Sequence, residues 1–219
     1  MPSDEAATFL FADIAGFTAL TEAHGDEHAL ELVEEFATAV QAELPPVDGE
    51  YVKTIGDALM LRVPDPGEAI RLGLWITRSA MSGHQAPSVR VGANHGSAVE
   101  RGGDYFGATI NVAARVSALA GGGELLVTGH TAALAPGLEG VIYESRGRQV
   151  LRNVAEPVEI FAVAPVDVNV DQLAIDPVCQ MAVDPERAVG RLRLDAKAYY
   201  FCSLTCAAAF AQQPQRYVE

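Results

Sequence analysis

The sequence predicts an α+β fold, with helices packed on a mixed β-sheet, followed by a small cysteine-bearing module. Apolar strand-like runs alternate with amphipathic helical stretches over residues 1–164. Gly56 and Asp57 separate two adjacent strand-like runs, which indicates a hairpin that interrupts a strictly parallel strand order. All three cysteines lie after residue 178. These observations indicate one large domain with an appended unit.

The individual elements follow from hydrophobic periodicity and from the residues that stop each run. The first strand is a short buried apolar run, and the first long helix keeps its apolar residues on one face until Pro45 and Pro46 end it. The predicted strands cover residues 7–14, 50–55, 58–63, 88–96, 124–128, 141–146 and 158–163. The predicted helices cover residues 26–44, 66–81 and 109–119, with a short one after Thr128.

Composition and charge exclude several classes of function. The 219 residues are 49% hydrophobic, which suits a globular chain with a sizeable core, and carry a formal net charge of −14. This charge argues against nucleic-acid binding and against docking on an anionic membrane. The N-terminal residues lack the features of a signal peptide, and an odd number of cysteines does not predict a disulfide framework. We therefore expect a cytoplasmic protein.

Two aspartates are candidate metal ligands. Asp13 lies at the end of the first predicted strand, and Asp57 lies at the tip of the hairpin. Carboxylates that meet in this way form a hard-oxygen site suited to Mg²⁺ or Mn²⁺. A lone aspartate in a turn is more often structural, through local hydrogen bonds to the backbone. The surrounding motifs favour the metal interpretation.

Three ordered motifs resemble those of class III adenylyl and guanylyl cyclases. They are F-A-D-I-A-G-F-T at residues 11–18, K-T-I-G-D-A at 53–58 and G-D-Y-F-G-A-T-I-N-V-A-A-R at 103–115. The run L-R-N-V-A-E-P-V-E-I-F-A-V resembles the closing strand of the same family. The resemblance implies a ferredoxin-like, palm-type sandwich over residues 1–164. It also implies that Asp13, Asp57 and the Ile14 carbonyl hold two Mg²⁺ or Mn²⁺ ions.

The resemblance assigns the substrate contacts as well. Lys53 and Asp104 match the positions that select the base, and a lysine donor beside an aspartate acceptor complements N1 and the N6 amine of adenine rather than guanine. Asn111 and Arg115, four residues apart on one helix face, would position the ribose and stabilise charge on the phosphates. Arg152 stands where the family often has lysine and would contact the terminal phosphates. The implied substrate is ATP, and the implied product is cyclic AMP.

The family also implies a homodimer with composite sites. The two metal-binding aspartates would come from one protomer, and the residues that contact base, ribose and phosphate would come from the other. The chain carries both sets, which disfavours the alternative of a non-catalytic nucleotide-binding sensor. A second alternative is a diguanylate cyclase, because residues 102–106 read G-G-D-Y-F. We disfavour it because the hairpin at residues 53–58 already fills the metal-binding role, whereas Asp104 is expected to precede a helix.

A linker is predicted at residues 165–175, and the segment 176–219 resembles the YHS domain. The resemblance rests on D-P-V-C-Q-M at residues 176–181, on Y-Y-F-C-S at 199–203 and on Cys206. Gln180 stands where this family commonly has glycine. The cysteine spacing is also similar to that of the metal-sensing TRASH modules. A regulatory role for the module over the cyclase follows as a hypothesis.

Three interpretations of Cys179, Cys202 and Cys206 remain open. They bind Zn²⁺ or Cu⁺, they form a thiol redox switch, or they only pack in a small core. Cys202 and Cys206 are four residues apart and would point the same way on a helix. No histidine follows residue 130, so a local fourth ligand would be a carboxylate, water or another chain. His24 and His28 are expected on a solvated helix face with no third ligand nearby.

Overall fold

The computed structural model describes residues 6–166 and 173–218. A seven-stranded mixed sheet organises the first of these segments, in the order β2-β3-β1-β4-β7-β9-β8. All neighbouring strands are antiparallel except β4 and β7, which are parallel. The strands of the sheet are β1 (Ala7–Ile14), β2 (Glu50–Ile55), β3 (Ala58–Val63), β4 (Val89–Gly96), β7 (Leu125–Thr128), β8 (Val141–Gln149) and β9 (Val158–Pro165). The predicted α+β class is confirmed.

Helices cover both faces of this sheet. They are α1 (Phe17–His24), α2 (Asp26–Ala42), α3 (Pro66–Trp75), α4 (Ala108–Leu119) and α5 (Gly129–Leu134). The larger core joins Leu10 of β1 with Phe36 of α2 and Ile70 of α3, whereas Phe9 faces the opposite side with Ala113 of α4. The period of two along β1 therefore sends alternate side chains into two separate cores.

The helix α4 lies unusually close to the sheet. A Cβ atom placed on Gly92 of β4 would come within 1.9 Å of the backbone nitrogen of Ser117. Only glycine permits this approach of helix backbone to strand backbone. Gly92 thereby sets the position of α4 on the sheet.

Several boundaries differ from the predicted ones for local reasons. The helix α1 was not predicted, because it is only 8 residues long and lies between Gly16 and Gly25, both at positive φ. The helix predicted to reach residue 81 ends as α3 at Trp75 and continues as one π-helical turn, Ile76–Ala80. None of the helices in the described residues is long and apolar enough to cross a bilayer.

The glycine-rich loop before α4 is itself a hairpin, which corrects the expectation for Asp104. Strands β5 (Val99–Arg101) and β6 (Asp104–Phe106) pair, with Gly102 and Gly103 in the turn at positive φ. The absence of a hairpin was therefore the wrong reason for setting aside a diguanylate cyclase. The distinction that holds in the structure is that Asp104 contacts a lysine rather than a second carboxylate.

The C-terminal segment forms a small unit of two hairpins and one helix. Its elements are β10 (Ala174–Ile175), β11 (Ala182–Val183), β12 (Gly190–Leu194), β13 (Lys197–Phe201) and α6 (Leu204–Gln212). Phe201 and Phe210 are buried at its centre, with ring centroids 5.2 Å apart. Most of the predicted linker, residues 167–172, lies outside the described residues.

This unit is hydrogen-bonded to the segment that precedes β4. The Gln85 amide donates to the Ala182 carbonyl, and the Ala182 amide donates to the Ala86 carbonyl, each at 2.8 Å. The Asp184 amide donates to Nδ1 of His84 at 3.3 Å. Buried residues of the unit belong to the same hydrophobic cluster as the main core. The two parts of the chain are therefore joined by both backbone pairing and apolar packing.

Candidate active site

Two carboxylates meet at one end of the central strand. Asp13 is the second-last residue of the strand β1 and lies opposite Ala58 of β3. Asp57 occupies the adjacent turn between β2 and β3. The Asp57 carboxyl lies close enough to that of Asp13 for the two groups to interact electrostatically. Arg90 donates from Nε at 2.9 Å and from a terminal nitrogen at 2.5 Å to one oxygen of Asp13. The pairing of β1 with β3 therefore brings Asp13 close to Asp57, although the two residues lie 44 positions apart in the sequence.

The electrostatics of this carboxylate pair favour a bound cation. The pKa of Asp57 is raised to about 7, first by burial of the carboxyl and then by the adjacent Asp13, while Arg90 opposes the shift. Two neighbouring carboxylates that resist simultaneous ionisation gain most from a divalent ion. The side chain of Ile14 is buried in the core, so only its backbone carbonyl is left as a candidate metal ligand. These donors fit a hard divalent cation.

A second charged pair lies on the strand β2 and the β5–β6 hairpin. Nζ of Lys53 contacts a carboxylate oxygen of Asp104 at 2.5 Å. This hydrogen bond lowers the pKa of Asp104, so the carboxyl is ionised near neutral pH and acts as an acceptor. Phe106 lies beside the pair, with its ring centroid 6.0 Å from Nζ of Lys53. The structure thus places a donor, an acceptor and an aromatic face together.

The helix α4 presents the remaining predicted residues. Asn111 is exposed and Arg115 is partly exposed, one turn apart on the same helix. In residues 6–166 and 173–218, no ion pair connects Arg115 with a carboxylate. Its guanidinium is therefore available to an anionic ligand.

Arg152 lies in an exposed turn before β9. The next residue, Asn153, has a φ of 61°, in the left-handed region that glycine and asparagine adopt most readily. Arg152 and Asn153 stand where the family often has lysine and glycine, and the asparagine keeps a residue type that suits this backbone conformation. A guanidinium replaces an ammonium at the predicted phosphate contact.

The three cysteines form a compact buried cluster. The Sγ atoms of Cys179 and Cys202 are 3.4 Å apart, and those of Cys202 and Cys206 are 3.8 Å apart. Cys202 lies at the end of β13 rather than on a helix, and Cys206 lies in the first turn of α6, where its amide donates to the Ser203 hydroxyl. The expectation that both cysteines share a helix is wrong, although their sulfurs do converge.

His24 also reaches this cluster, which corrects two expectations. Its Nε2 lies 3.5 Å from Sγ of Cys202, and the four ligand atoms of His24 and the cysteines all lie within 4.8 Å of one another. Gly25 separates α1 from α2, so His24 and His28 do not share a helix face. The fourth polar group near the thiols is therefore a histidine from far upstream in the same chain.

Hydrogen bonds hold the sulfur-bearing loops in place. The carboxylate of Asp176 accepts from the amides of Val178 and Cys202, each at 2.9 Å. Hydrogen bonds from the other two thiols lower the pKa of Cys206. These hydrogen bonds therefore stabilise the ionised form of Cys206.

Comparison with known proteins identifies the family. The model of the adenylate and guanylate cyclase catalytic domain matches residues 1–164. This chain belongs to that family. The YHS domain model matches residues 174–219, so a YHS domain follows the cyclase domain.

Curated relatives of this cyclase-family chain include bacterial adenylate cyclases. The pH-sensitive adenylate cyclase MT1302 of Mycobacterium tuberculosis is 35% identical over 167 residues, which cover 74% of this chain and 42% of that protein. An adenylate cyclase of Streptomyces griseus is 36% identical over 119 residues, which cover 54% of this chain and 30% of that protein. The chain therefore matches less than half of the length of these relatives.

Solved structures agree with the fold. The adenylate/guanylate cyclase/hydrolase from Silicibacter pomeroyi aligns with a TM-score of 0.65 and 25% identity, over 73% of this chain and 96% of that one. The adenylyl cyclase CyaB from P. aeruginosa aligns with a TM-score of 0.63 and 21% identity, over 75% of this chain and 96% of that one. The class III cyclase sandwich is thereby confirmed.

Sequence reasoning missed two residues of these sites in the cyclase domain. Arg90 carries no motif, and only the pairing of β1 with β4 places it opposite Asp13. His24 was set aside because its partners lie more than 150 positions downstream, beginning at Cys179. No local sequence motif around His24 indicated this role.

Proposed function

We propose that this chain is an adenylyl cyclase that converts ATP to 3′,5′-cyclic AMP and pyrophosphate. The contact between Asp13 and Asp57 at the end of β1 carries this proposal, since paired carboxylates suit the divalent ions on which phosphoryl chemistry depends. The ions would be Mg²⁺ or Mn²⁺, two per site, held by Asp13, Asp57 and the Ile14 carbonyl. When bound, they would neutralise phosphate charge and favour in-line displacement at phosphorus.

The specificity for adenine would come from Lys53 and Asp104. N1 and the N6 amine of adenine are adjacent on one edge, so the side chains that bind them must also be adjacent. The 2.5 Å contact between Nζ of Lys53 and the Asp104 carboxylate satisfies this requirement. Guanine would place N1–H against the lysine and O6 against the carboxylate, leaving both protein groups mispaired.

The residues of α4 would act on the ribose and the phosphates. Asn111 would orient the ribose so that its 3′-hydroxyl faces the α-phosphorus, and Arg115 would stabilise the charge that develops on the phosphate oxygens. Arg152 would hold the terminal phosphates from its exposed turn. The P–O bond to the 3′-oxygen forms as the bond to pyrophosphate breaks, and no protein nucleophile is required.

We propose that the active form is a homodimer with two composite sites. Within one chain, Asp13 contacts Asp57 and Arg90, whereas Lys53 contacts Asp104, so the two half-sites are separate clusters. Pairing two chains around a twofold axis would join each half-site to its complement. The domains would span residues 1–164 and 176–219, joined by a linker at 165–175. The reduced thiols and the need for ATP favour a cytoplasmic location.

The YHS domain would bind a soft metal ion and tune the cyclase. Three converging sulfurs suit Zn²⁺ or Cu⁺. Backbone hydrogen bonds between the domains, at Gln85 and Ala182, provide a physical connection through which the state of the module would reach the cyclase core.

Complementation between inactive variants tests the composite site. Asp13→Ala and Arg115→Ala should each abolish cyclic AMP formation from ATP and Mn²⁺. An equal mixture should regain about a quarter of wild-type activity, because half of the dimers would be mixed and each would hold one intact site. Mixing Asp13→Ala with Asp57→Ala, two lesions in the same half-site, is the control and should regain nothing. A mixture of the first pair that stays inactive, with both variants folded and dimeric, would refute the composite site.

A further inference from the structure

We propose that His24 of the cyclase domain completes a closed tetrahedral zinc site with Cys179, Cys202 and Cys206 of the YHS domain. This inference rests on the proposed metal-binding role of the three thiolates and adds a fourth ligand from the other domain. The bound ion would link the two domains through coordinate bonds, whereas they otherwise meet through hydrogen bonds and apolar packing.

The distances between ligand atoms match those around a zinc ion. Zn–S bonds of about 2.3 Å and Zn–N bonds of about 2.0 Å, at tetrahedral angles, place two sulfurs about 3.8 Å apart and a sulfur about 3.5 Å from a nitrogen. The cluster has sulfur separations of 3.4 and 3.8 Å and a separation of 3.5 Å between Sγ of Cys202 and Nε2 of His24. The remaining pairs of ligand atoms lie within 4.8 Å of one another, so the four atoms need to move by no more than about 1 Å to surround the ion.

The composition and burial of the cluster favour Zn²⁺ in a structural role. Three thiolates and one imidazole are a common structural zinc set, in which four protein ligands leave no position for a substrate. The three cysteines are exposed by 0%, 2% and 0%, so their thiols are shielded from bulk water. The imidazole nitrogen is a borderline donor that suits Zn²⁺, whereas Cu⁺ prefers sulfur alone.

The protein around the cluster holds the ligands in place. Asp176 is fully buried and connects the loop that carries Cys179 with the strand end that carries Cys202 through two backbone amides. Ser203 caps α6 and fixes the first turn, which carries Cys206. Such backbone support of the ligand loops is what metal sites use to fix their geometry.

The cyclase side of the cluster is equally defined. His24 is the last residue of α1, and Gly25, at a φ of 88°, turns the chain away directly after it. A cation at this position also lies at the negative end of the helix dipole. At the other end of α1, a Cβ atom on Gly16 would lie 2.6 Å from Cγ of Gln180, so the module contacts both ends of the helix.

The competing interpretation of a simple packed core explains less. Buried cysteines are good small apolar residues, and Phe201 and Phe210 do pack near them. Apolar packing gives no reason for an imidazole nitrogen to lie 3.5 Å from one of these sulfurs and within 4.8 Å of all three. A ligand role accounts for the histidine and the cysteines together.

Metal analysis of the full-length protein tests the proposal. We expect about one zinc ion per chain, and we expect Co²⁺ substituted for zinc to show the intense visible bands of a tetrahedral thiolate site. His24→Ala should weaken zinc affinity more than about tenfold in a chelator competition and should change the Co²⁺ spectrum. His28→Ala, which alters a nearby exposed histidine outside the cluster, is the matched control and should match the wild type.

The outcomes separate failure of the fourth ligand from failure of the thiolate site. Stoichiometric zinc with identical affinity and spectrum in His24→Ala would overturn the role of His24 and leave the three-thiolate site standing. A chain that stays without zinc when supplied with it would overturn the zinc site itself. Thiol titration that finds a disulfide and one free thiol would do the same. None of these readouts depends on cyclic AMP synthesis.

Discussion

In the proposed reaction, Lys53 and Asp104 would be the two side chains that select the base. One donor and one acceptor, joined by a 2.5 Å contact, would present to a purine an edge that matches adenine and mismatches guanine. Both side chains are half-buried, so water competes less for their hydrogen bonds and a mismatched base would bind more weakly. Specificity would therefore depend on two side chains rather than on the whole fold.

Reversing the polarity of this pair should reverse the choice of base. In the double variant Lys53→Glu, Asp104→Asn, a carboxylate acceptor would face N1 and an amide donor would face O6 of guanine. Both positions would then match guanine, so at about 1–3 kcal/mol for each of two contacts kcat/KM for GTP should rise by roughly 30- to 10⁴-fold, and the ratio of kcat/KM for ATP to that for GTP should fall by at least that factor. Cyclase assays with each nucleotide measure this ratio.

The single variant Lys53→Glu provides the control for this experiment. It would match one position of either purine and mismatch the other, so it should be slow with ATP and with GTP. An unchanged ratio in a double variant that still folds would show that Lys53 and Asp104 do not contact the base.

Single residues were predicted from the sequence when a local motif carried them. Asp13, Asp57, Asn111 and Arg115 lie inside ordered motifs, and the structure places the two aspartates in contact. Arg90 and His24 have no such motif, because their partners are brought to them only by strand register and by docking of the module. Sequence patterns therefore do not predict contacts between residues that lie far apart in the sequence.

At the scale of elements, the close packing of α4 on β4 determines the position of two site residues. Gly92 allows the backbones of the strand and the helix to meet near Ser117, and Asn111 and Arg115 are carried on the same helix. Any outward shift of α4 would move both side chains together. A glycine with no chemistry of its own thereby governs the geometry of the site.

The variant Gly92→Ala should both destabilise the protein and impair catalysis. The added methyl would overlap the Ser117 backbone at 1.9 Å, and no flexible side chain lies there to move away. We expect the free energy of unfolding to fall by more than about 2 kcal/mol, as measured by urea denaturation followed by circular dichroism.

Gly121→Ala is the matched control for this helix. Gly121 follows α4, and a Cβ atom there would meet its nearest neighbour, the Glu124 carboxylate, at an ordinary 3.8 Å. Its stability should stay within about 0.5 kcal/mol of the wild type. Equal stability of the two variants would contradict a tight contact between α4 and β4.

Elements with strong periodicity were predicted well, and short elements bounded by glycine were not. The structure reproduces the predicted bounds of β1, β2 and β3, whose apolar runs end at turn residues. The helix α1 and the β5–β6 hairpin were missed, because each is short and depends on glycines at positive φ. The conformation of such glycines is set by tertiary packing, which sequence periodicity does not report.

At the scale of the whole molecule, the YHS domain packs directly against the cyclase domain. The amides of Gln85 and Ala182 are each engaged across the boundary at 2.8 Å, and the side-chain amide of Gln85 donates to the Cys202 carbonyl at 3.1 Å. The segment before β4 therefore serves as a short pairing edge for the module.

Hydrogen exchange at these two amides should report the docking. We expect Gln85 and Ala182 to exchange at least about 100-fold more slowly than the same residues in an unstructured peptide, because both are engaged between the domains. Amide exchange followed by nuclear magnetic resonance or mass spectrometry measures this protection. Exchange at peptide-like rates in the full-length protein would show that the domains do not pair here.

The shortness of α1 has a mechanical consequence for the two proposed metal-binding regions. The helix has only 8 residues, which is about 12 Å at 1.5 Å per residue, and it begins three residues after Ile14 and ends at His24. A single short helix has no internal hinge, so it transmits a displacement from one end to the other almost undiminished. An ion that displaces His24 would therefore also displace the loop beside Asp13 at the other end of the helix. The signal would be a rigid-body movement of α1, which is two helical turns long.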